Sequence, residues 1–416
     1  MPVSDMPDAS AGSFGFLRNP DARLFLVSRF LWVAATQIVN VAVGWTVYEV
    51  TQSAWSLGLV GLIAFAPRLP LMLFSGIMAD RHDRRIIMAS GLAINAAVTL
   101  LLLIVVTGGQ VRIGFIYALY LVLGAVRGFV GPAAQAMAGN VVPRQQLGRL
   151  MGFSSSVGQI ATVAGPALGG MLYVAGTALP FACAAAFYAV AAIANIFIRR
   201  RNDSTDRPPA GWREALAGLG FIRRHPVILG AISLDMFSVL LGGATALLPI
   251  ITVELLHAGP SVLGILRAMP AVGAAMVGIL LGRFPIQRNA GRKLFIATTV
   301  FGLATIALGL SHNLWLTFAI LWLLGASDVF SVVIRQTLVQ AETPDNMRGR
   351  VSAVNAVFIG ASNELGEFES GATAALFGLV PAIVLGGAGT LAVVAIWATV
   401  FPDLRKRDWL IDPKSG

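Results

Sequence analysis

The sequence predicts an all-α polytopic membrane protein, with twelve transmembrane helices arranged as two related six-helix bundles. Three observations predict it: an apolar composition, twelve apolar segments of membrane-spanning length, and a repeat that places the second half on the first. Of the 416 residues, 56% are hydrophobic and 12% charged, against roughly 25% charged in soluble domains. A soluble chain of this composition would expose too much apolar surface to water. A bilayer removes that cost, and a helix of about 20 apolar residues crosses a hydrocarbon core of roughly 30 Å. The runs lack the alternation of barrel strands, so each span reads as a helix.

The first six segments fall at 22–48, 55–79, 86–107, 112–138, 148–174 and 177–198. A polar break separates them from 227–256, 260–282, 293–311, 313–340, 348–377 and 380–402. This divides the chain into a bundle over 1–201, a central loop over 202–225 and a second bundle with its tail over 226–416. In the loop, Trp212, Leu216, Leu219, Phe221 and Ile222 share an apolar face flanked by Arg213, Arg223 and Arg224, which predicts a short interfacial helix.

An even span count puts both termini on one side. Of the 30 Lys and Arg residues, 24 fall in the segments of that side, one (Arg112) on the other, and five (Arg29, Arg68, Arg127, Arg267, Arg335) inside spans. The positive-inside rule makes the termini and central loop cytoplasmic, in a bacterial inner membrane. The net charge of +10 is therefore a topology signal, with anionic lipid as its neighbour and nucleic acid excluded. Residues 1–20 lack an apolar core before a cleavage site, so no removable signal peptide is expected. The single cysteine, Cys183, sits in an apolar run and reads as a small buried hydrophobe.

At a shift of 201 residues, Pro143-Arg-Gln-Gln-Leu-Gly-Arg149 falls on Pro344-Asp-Asn-Met-Arg-Gly-Arg350, and Gly170 on Gly371. Parallel halves of this kind are a transporter architecture, with a site near the midplane between them. One chain supplies both halves, so a monomer suffices.

The loop after span 2 reads Gly76-Ile-Met-Ala-Asp80-Arg81-His-Asp83-Arg84-Arg85. It resembles the signature loop of the major facilitator superfamily, with Asp83 where the family has a glycine. Gly76, Asp80, Arg81, Arg84 and Arg85 are the candidate conformational-gate residues. Span 5 carries Gly158 and then Gly165-Pro166-Ala-Leu-Gly169-Gly170. This is similar to the motif of that superfamily's proton-coupled exporters, with glycines for close packing and a proline to kink the helix. With Arg348-Gly-Arg-Val-Ser-Ala353 and Ser362 to Gly371, the chain resembles the branch of enterobactin exporters and macrolide efflux proteins. The resemblance implies a proton-coupled exporter of an amphiphilic small molecule, such as a siderophore or hydrophobic drug, working by alternating access. An importer or uniporter of the same fold is the alternative, and a non-transporting membrane sensor or membrane enzyme the more distant one.

The resemblance also implies that spans 1, 4, 7 and 10 line the central cavity. Charge inside a bilayer costs about 2.5–3.5 kcal/mol or more, so it marks a cavity or a partner. Asp328, Glu364 and Glu367, then Asp235, are the candidate proton carriers; buried structural ion pairs are the competing reading. Arg29, Arg127, Arg335, Gln37, Asn40, Gln135 and Asn355 are the candidate cavity residues, and Trp32, Phe237 and Phe358 would supply apolar wall. The sequence holds no phosphate-binding loop, no His-Glu-x-x-His and no nucleophile–base pair. ATP, cofactors, metals and enzymatic chemistry are therefore not expected.

Overall fold

The computed structural model describes residues 15–68, 70–71, 83–109, 111–142, 144–199, 212–344 and 347–410. The first half contains α1 (Pro20–Thr51), α2 (Ala54–Phe65), α3 (Arg84–Thr107), α4 (Ile113–Val141), α5 (Arg144–Ala175) and α6 (Leu179–Ile196). The helix α7 (Trp212–Arg224) links it to α8 (Pro226–Leu241), α9 (Pro260–Arg283), α10 (Ala290–Leu310), α11 (Leu314–Ala341), α12 (Arg348–Phe377), α13 (Leu379–Val400) and the short α14 (Pro402–Arg405). Twelve of these are spans. Ten segments among the described residues are long and apolar enough to cross a bilayer. The other two are the shorter apolar helix α2 and the acid-bearing α12.

Local chemistry sets the helix ends. Asn19 caps α1 by accepting from the Asp21 N–H at 3.0 Å, and Pro20 occupies the first turn, where its missing N–H costs nothing. Asn313 caps α11 through the N–H groups of Trp315 and Leu316. Asp83 caps α3 with φ −63°, accepting from the Arg85 N–H. The position needs no left-handed backbone, so an acid replaces the family's glycine without strain. Span 7 does not run straight through: α8 ends at Leu241, and two glycines lead into a 3-10 turn Ala244–Leu247, a helical turn and a π-helical turn Ile251–Leu255.

In the first half, α1 packs on α5 and α6, and α3 on α4 and α6. In the second, α9 packs on α11, α10 on α11 and α13, and α8 on α12 and α13. The halves meet along two seams, α5 with α9 and α2 with α12. One face carries the starts of α1, α3 and α5 and the ends of α4 and α6. There Asn19 donates to the Val141 carbonyl, Arg84 to Asn140 and Arg85 to the Ile198 carbonyl. In the second half the segment after α14 closes the same face: Asp408 and Arg407 carbonyls accept from Ala290 and Gly291, and Arg407 pairs with Glu342. This is the basic face of the sequence reading.

The helix α7 spans Trp212–Arg224. Its Ile222 is buried, and Gly218 approaches the backbone of Arg350 so closely that a Cβ would lie 2.8 Å from that carbonyl.

Candidate functional site

The motif glycines of α5 do two jobs. A Cβ on Gly165 would sit 2.7 Å from the Cβ of Gln37, and one on Gly169 3.1 Å from the Cα of Ile38, so both lock α5 against α1. Gly158 on the same face lies against the Arg29 guanidinium. Gly170 turns to the other half instead, where a Cβ would lie 2.4 Å from the Pro260 carbonyl and 2.9 Å from the Cα of Gly264. The Pro166 carbonyl closes on Gly264 from the same side. The second seam repeats the device: a Cβ on Gly371 would lie 2.5 Å from the Cα of Gly58. Gly170 and Gly371 are the pair matched by the 201-residue repeat, so the two seams are pseudo-equivalent.

The described hydrogen bonds that join the halves are Tyr48 to Glu254 at 2.6 Å, Arg68 to Glu364 at 3.4 Å and Gln159 to the Ala271 carbonyl at 3.1 Å. Counted along their helices at about 1.5 Å per residue, they run from mid-depth to the face opposite the basic one. The glycine contacts and the Trp55–Phe368 ring pair, 5.4 Å between centroids, lie in the same zone. The protein is therefore shut at that opposite face.

At mid-depth the shut zone ends in a layer of charge. From α4, Arg127 donates to Asn40 Oδ1 at 2.8 Å and stands over the Tyr120 ring, whose hydroxyl donates to the same oxygen at 2.7 Å. Asn40 in turn donates to Gln37 at 3.3 Å. Across the seam, Glu364 pairs with Arg68 and is within Coulombic reach of Arg127. Glu367, one turn on, packs against Gly61 and is within reach of Glu364, Arg267 and Arg127. The two glutamates thus share one face, turned toward α2, and reach across to Arg68 and Arg127 of the first half.

A second cluster lies inside the second half. Arg335 and Asp235, 1% and 8% exposed, pair at 3.2 Å, and Arg335 donates to Asn355 at 2.8 Å. Asp328 is half-buried within Coulombic reach of both members of the pair. Asp235 is thus held in a buried ion pair with Arg335.

The helix starts reveal a charge inversion between the halves. Arg29 stands nine residues past Pro20 of α1, and Asp235 nine past Pro226 of α8. Arg127 stands fourteen past Ile113 of α4, and Asp328 fourteen past Leu314 of α11. Each of these two cations of the first half has a carboxylate at its equivalent place in the second.

Of the other expected residues, Gln135 is exposed and Arg29 half-buried. Arg84 and Arg85 brace the basic face, Arg85 through Asp83 at 2.7 Å. Gly76, Asp80 and Arg81 lie outside the described residues. Phe237 packs on Trp397 rather than on the charge layer, and Phe358 sits in the apolar cluster around Ile222. Three members of the layer, Arg68, Arg267 and Tyr120, were not among the expected site residues. Tyr120 had a signal: it precedes Arg127 by seven residues, two turns, and so shares its face.

The family model described as Major Facilitator Superfamily matches residues 25–367. The chain belongs to the Major Facilitator Superfamily. It is a multi-pass membrane transporter, not an enzyme. Among its relatives, macrolide efflux protein A of Streptococcus pyogenes is 25% identical over 389 residues, covering 89% of this chain and 93% of that one. The enterobactin exporter EntS of Citrobacter koseri is 23% identical, covering 93% of each chain. Solved superfamily folds superpose over nearly the full length. A point mutant of the nucleoside transporter NupG gives a TM-score of 0.74 at 11% identity, covering 92% of this chain and 100% of that one. A bacterial homologue of the human lysosomal transporter Spinster, inward-facing and unoccupied, gives 0.70 at 16%, covering 93% and 96%.

Proposed function

We propose that this transporter exports an amphiphilic small molecule across the bacterial inner membrane in exchange for protons, rocking its two halves about the charge layer. The efflux roles named for its two relatives support the direction. The basic face is then cytoplasmic, and the shut face periplasmic. The observation that carries the coupling is the cross-seam group Arg68, Arg127, Glu364, Glu367 and Arg267. Protonating Glu364 removes the anion that holds Arg68 to the other half, and protonating Glu367 removes the charge that faces Arg127 of the other half and Arg267 of its own. Either event weakens the seam from the middle. Proton loading from the periplasmic side and seam opening then become one step. Asp328, beside an arginine already paired to Asp235, is the further carrier.

The test begins by finding a transported compound, through growth and accumulation screens of a deletion strain against siderophores and hydrophobic drugs. Flux of that compound is then measured in inside-out vesicles with an imposed pH gradient. Glu364→Gln and Glu367→Gln should lose about tenfold or more of gradient-driven uptake while keeping substrate exchange without a gradient. Full coupling in Asp235→Asn, Asp328→Asn, Glu364→Gln and Glu367→Gln alike would defeat the proton assignment. Uptake into right-side-out cells would make the protein an importer.

A further inference from the structure

A cation kept inside a bilayer needs a partner or an aqueous space. Four of the five arginines within spans have carboxylates for company. Arg335 pairs with Asp235 and Arg68 with Glu364; Arg127 has Glu364 and Arg267 has Glu367 within Coulombic reach. Arg29 is the exception. Among the described residues no carboxylate reaches it, and its Nε makes no hydrogen bond. Its close partner there is the ring of Trp32, 5.0 Å from the guanidinium carbon.

Its place is also distinctive. Arg29 stands eleven residues before Asn40, three helical turns, and so shares the α1 face that meets Arg127. Its guanidinium lies against Gly158 of α5, where a Cβ would be 3.5 Å away. Gly158 immediately precedes Gln159, which bonds across the seam to Ala271. The cation therefore sits at the basic-face edge of the shut zone, half-buried. Its equivalent in the other half, Asp235, is neutralised by Arg335.

We propose that Arg29, seated on Trp32, is a subsite that takes the anionic group of the transported molecule: a carboxylate, sulfonate or phosphate on an apolar body. The inference rests on the transport reading and specifies its substrate class. An acidic headgroup entering from the basic face meets a guanidinium that has unspent donors and, among the described residues, no competing acid. The apolar remainder runs along the seam toward the charge layer. A neutral analogue leaves that cation uncompensated, which is where selectivity for anions arises.

The test uses the purified full-length protein in lipid nanodiscs, with empty nanodiscs as the blank. The probes are dansylglycine, which is anionic, and dansylglycinamide, its neutral counterpart. The wild type should bind the anion about tenfold more tightly than the amide, the size expected of one charge-assisted contact. Arg29→Gln should erase that preference while leaving amide binding and melting temperature in place, and Arg29→Lys should keep part of it. Equal binding of both probes by the wild type, binding of neither, or an undiminished preference in Arg29→Gln would overturn the proposal. Failure of the transport reading is seen separately: a protein with no gradient-driven flux would still show the anion preference, and an exporter of cations would show flux without it.

Discussion

Arg335 is among the largest fully buried side chains of the protein, and it is charged. Removing one member of a buried pair strands the other, at about 3–5 kcal/mol, whereas replacing both with apolar residues of similar volume is close to neutral. Asp235→Asn should therefore lower the melting temperature in detergent well below wild type, and Asp235→Leu with Arg335→Met should recover most of the loss. At the basic face, Asp408 makes a different residue-scale prediction. The Asn289 N–H, then the Arg288 guanidinium, hold its carboxyl below the usual carboxylate range. An acid whose folded value is depressed stabilises fully above its unfolded value, about 3.9, and loses that contribution as pH falls through the folded one. The melting difference between wild type and Asp408→Asn should thus be the same at pH 7 and pH 5, and shrink only at more acidic pH.

At the scale of helices, the glycine seams decide how closely the halves approach. A methyl group on Gly170 or Gly371 would lie within 2.4–2.5 Å of opposing backbone, a contact that backbone can relieve only by moving apart. Gly170→Ala and Gly371→Ala should open the shut face. Spin labels at Gln52 and His257, one on each half at that face, should report a second and longer distance in both variants. Gly278→Ala is the control, since nothing lies within 4 Å of its added methyl, and it should leave the distances unchanged. Arg29 and Gln37 lie against the other motif glycines of α5, Gly158 and Gly165, which thus serve the packing of α5 on α1.

For the whole molecule, the exchange proposed above requires the seams to open and reclose while each bundle stays intact. Trp55 and Phe368 face each other across the α2–α12 seam. Cysteines at both positions, joined by a short bifunctional thiol reagent in a background lacking Cys183, should stop net flux. Dansylglycine binding from the basic face should survive. Flux persisting at the wild-type rate after complete cross-linking would mean that the halves do not separate along this seam.

The sequence alone determined what depends on local order and on bilayer thickness. Apolar runs give the spans, Asn19 and Pro20 suit the first turn of α1 by their own chemistry, and most basic residues fall outside the spans because an unpaired cation in hydrocarbon is costly. Small residues at helical spacing in α5 announced close packing, and acids inside α12 announced charge that must find partners. What the sequence left open was which partner each group meets. Asp235 and Arg335 are far apart in the chain, and only the packing of α8 beside α11 brings them together as a buried pair. Tyr120 and Arg68 joined the charge layer because α4 packs beside α2, and Arg267 because α9 brings it within reach of Glu367. Arg29 stands out only by the partner it lacks among the described residues. Hydropathy and caps act within a few residues, while a side chain's electrostatic role is set by whatever folding brings within a few ångströms, and that is decided by the tertiary structure.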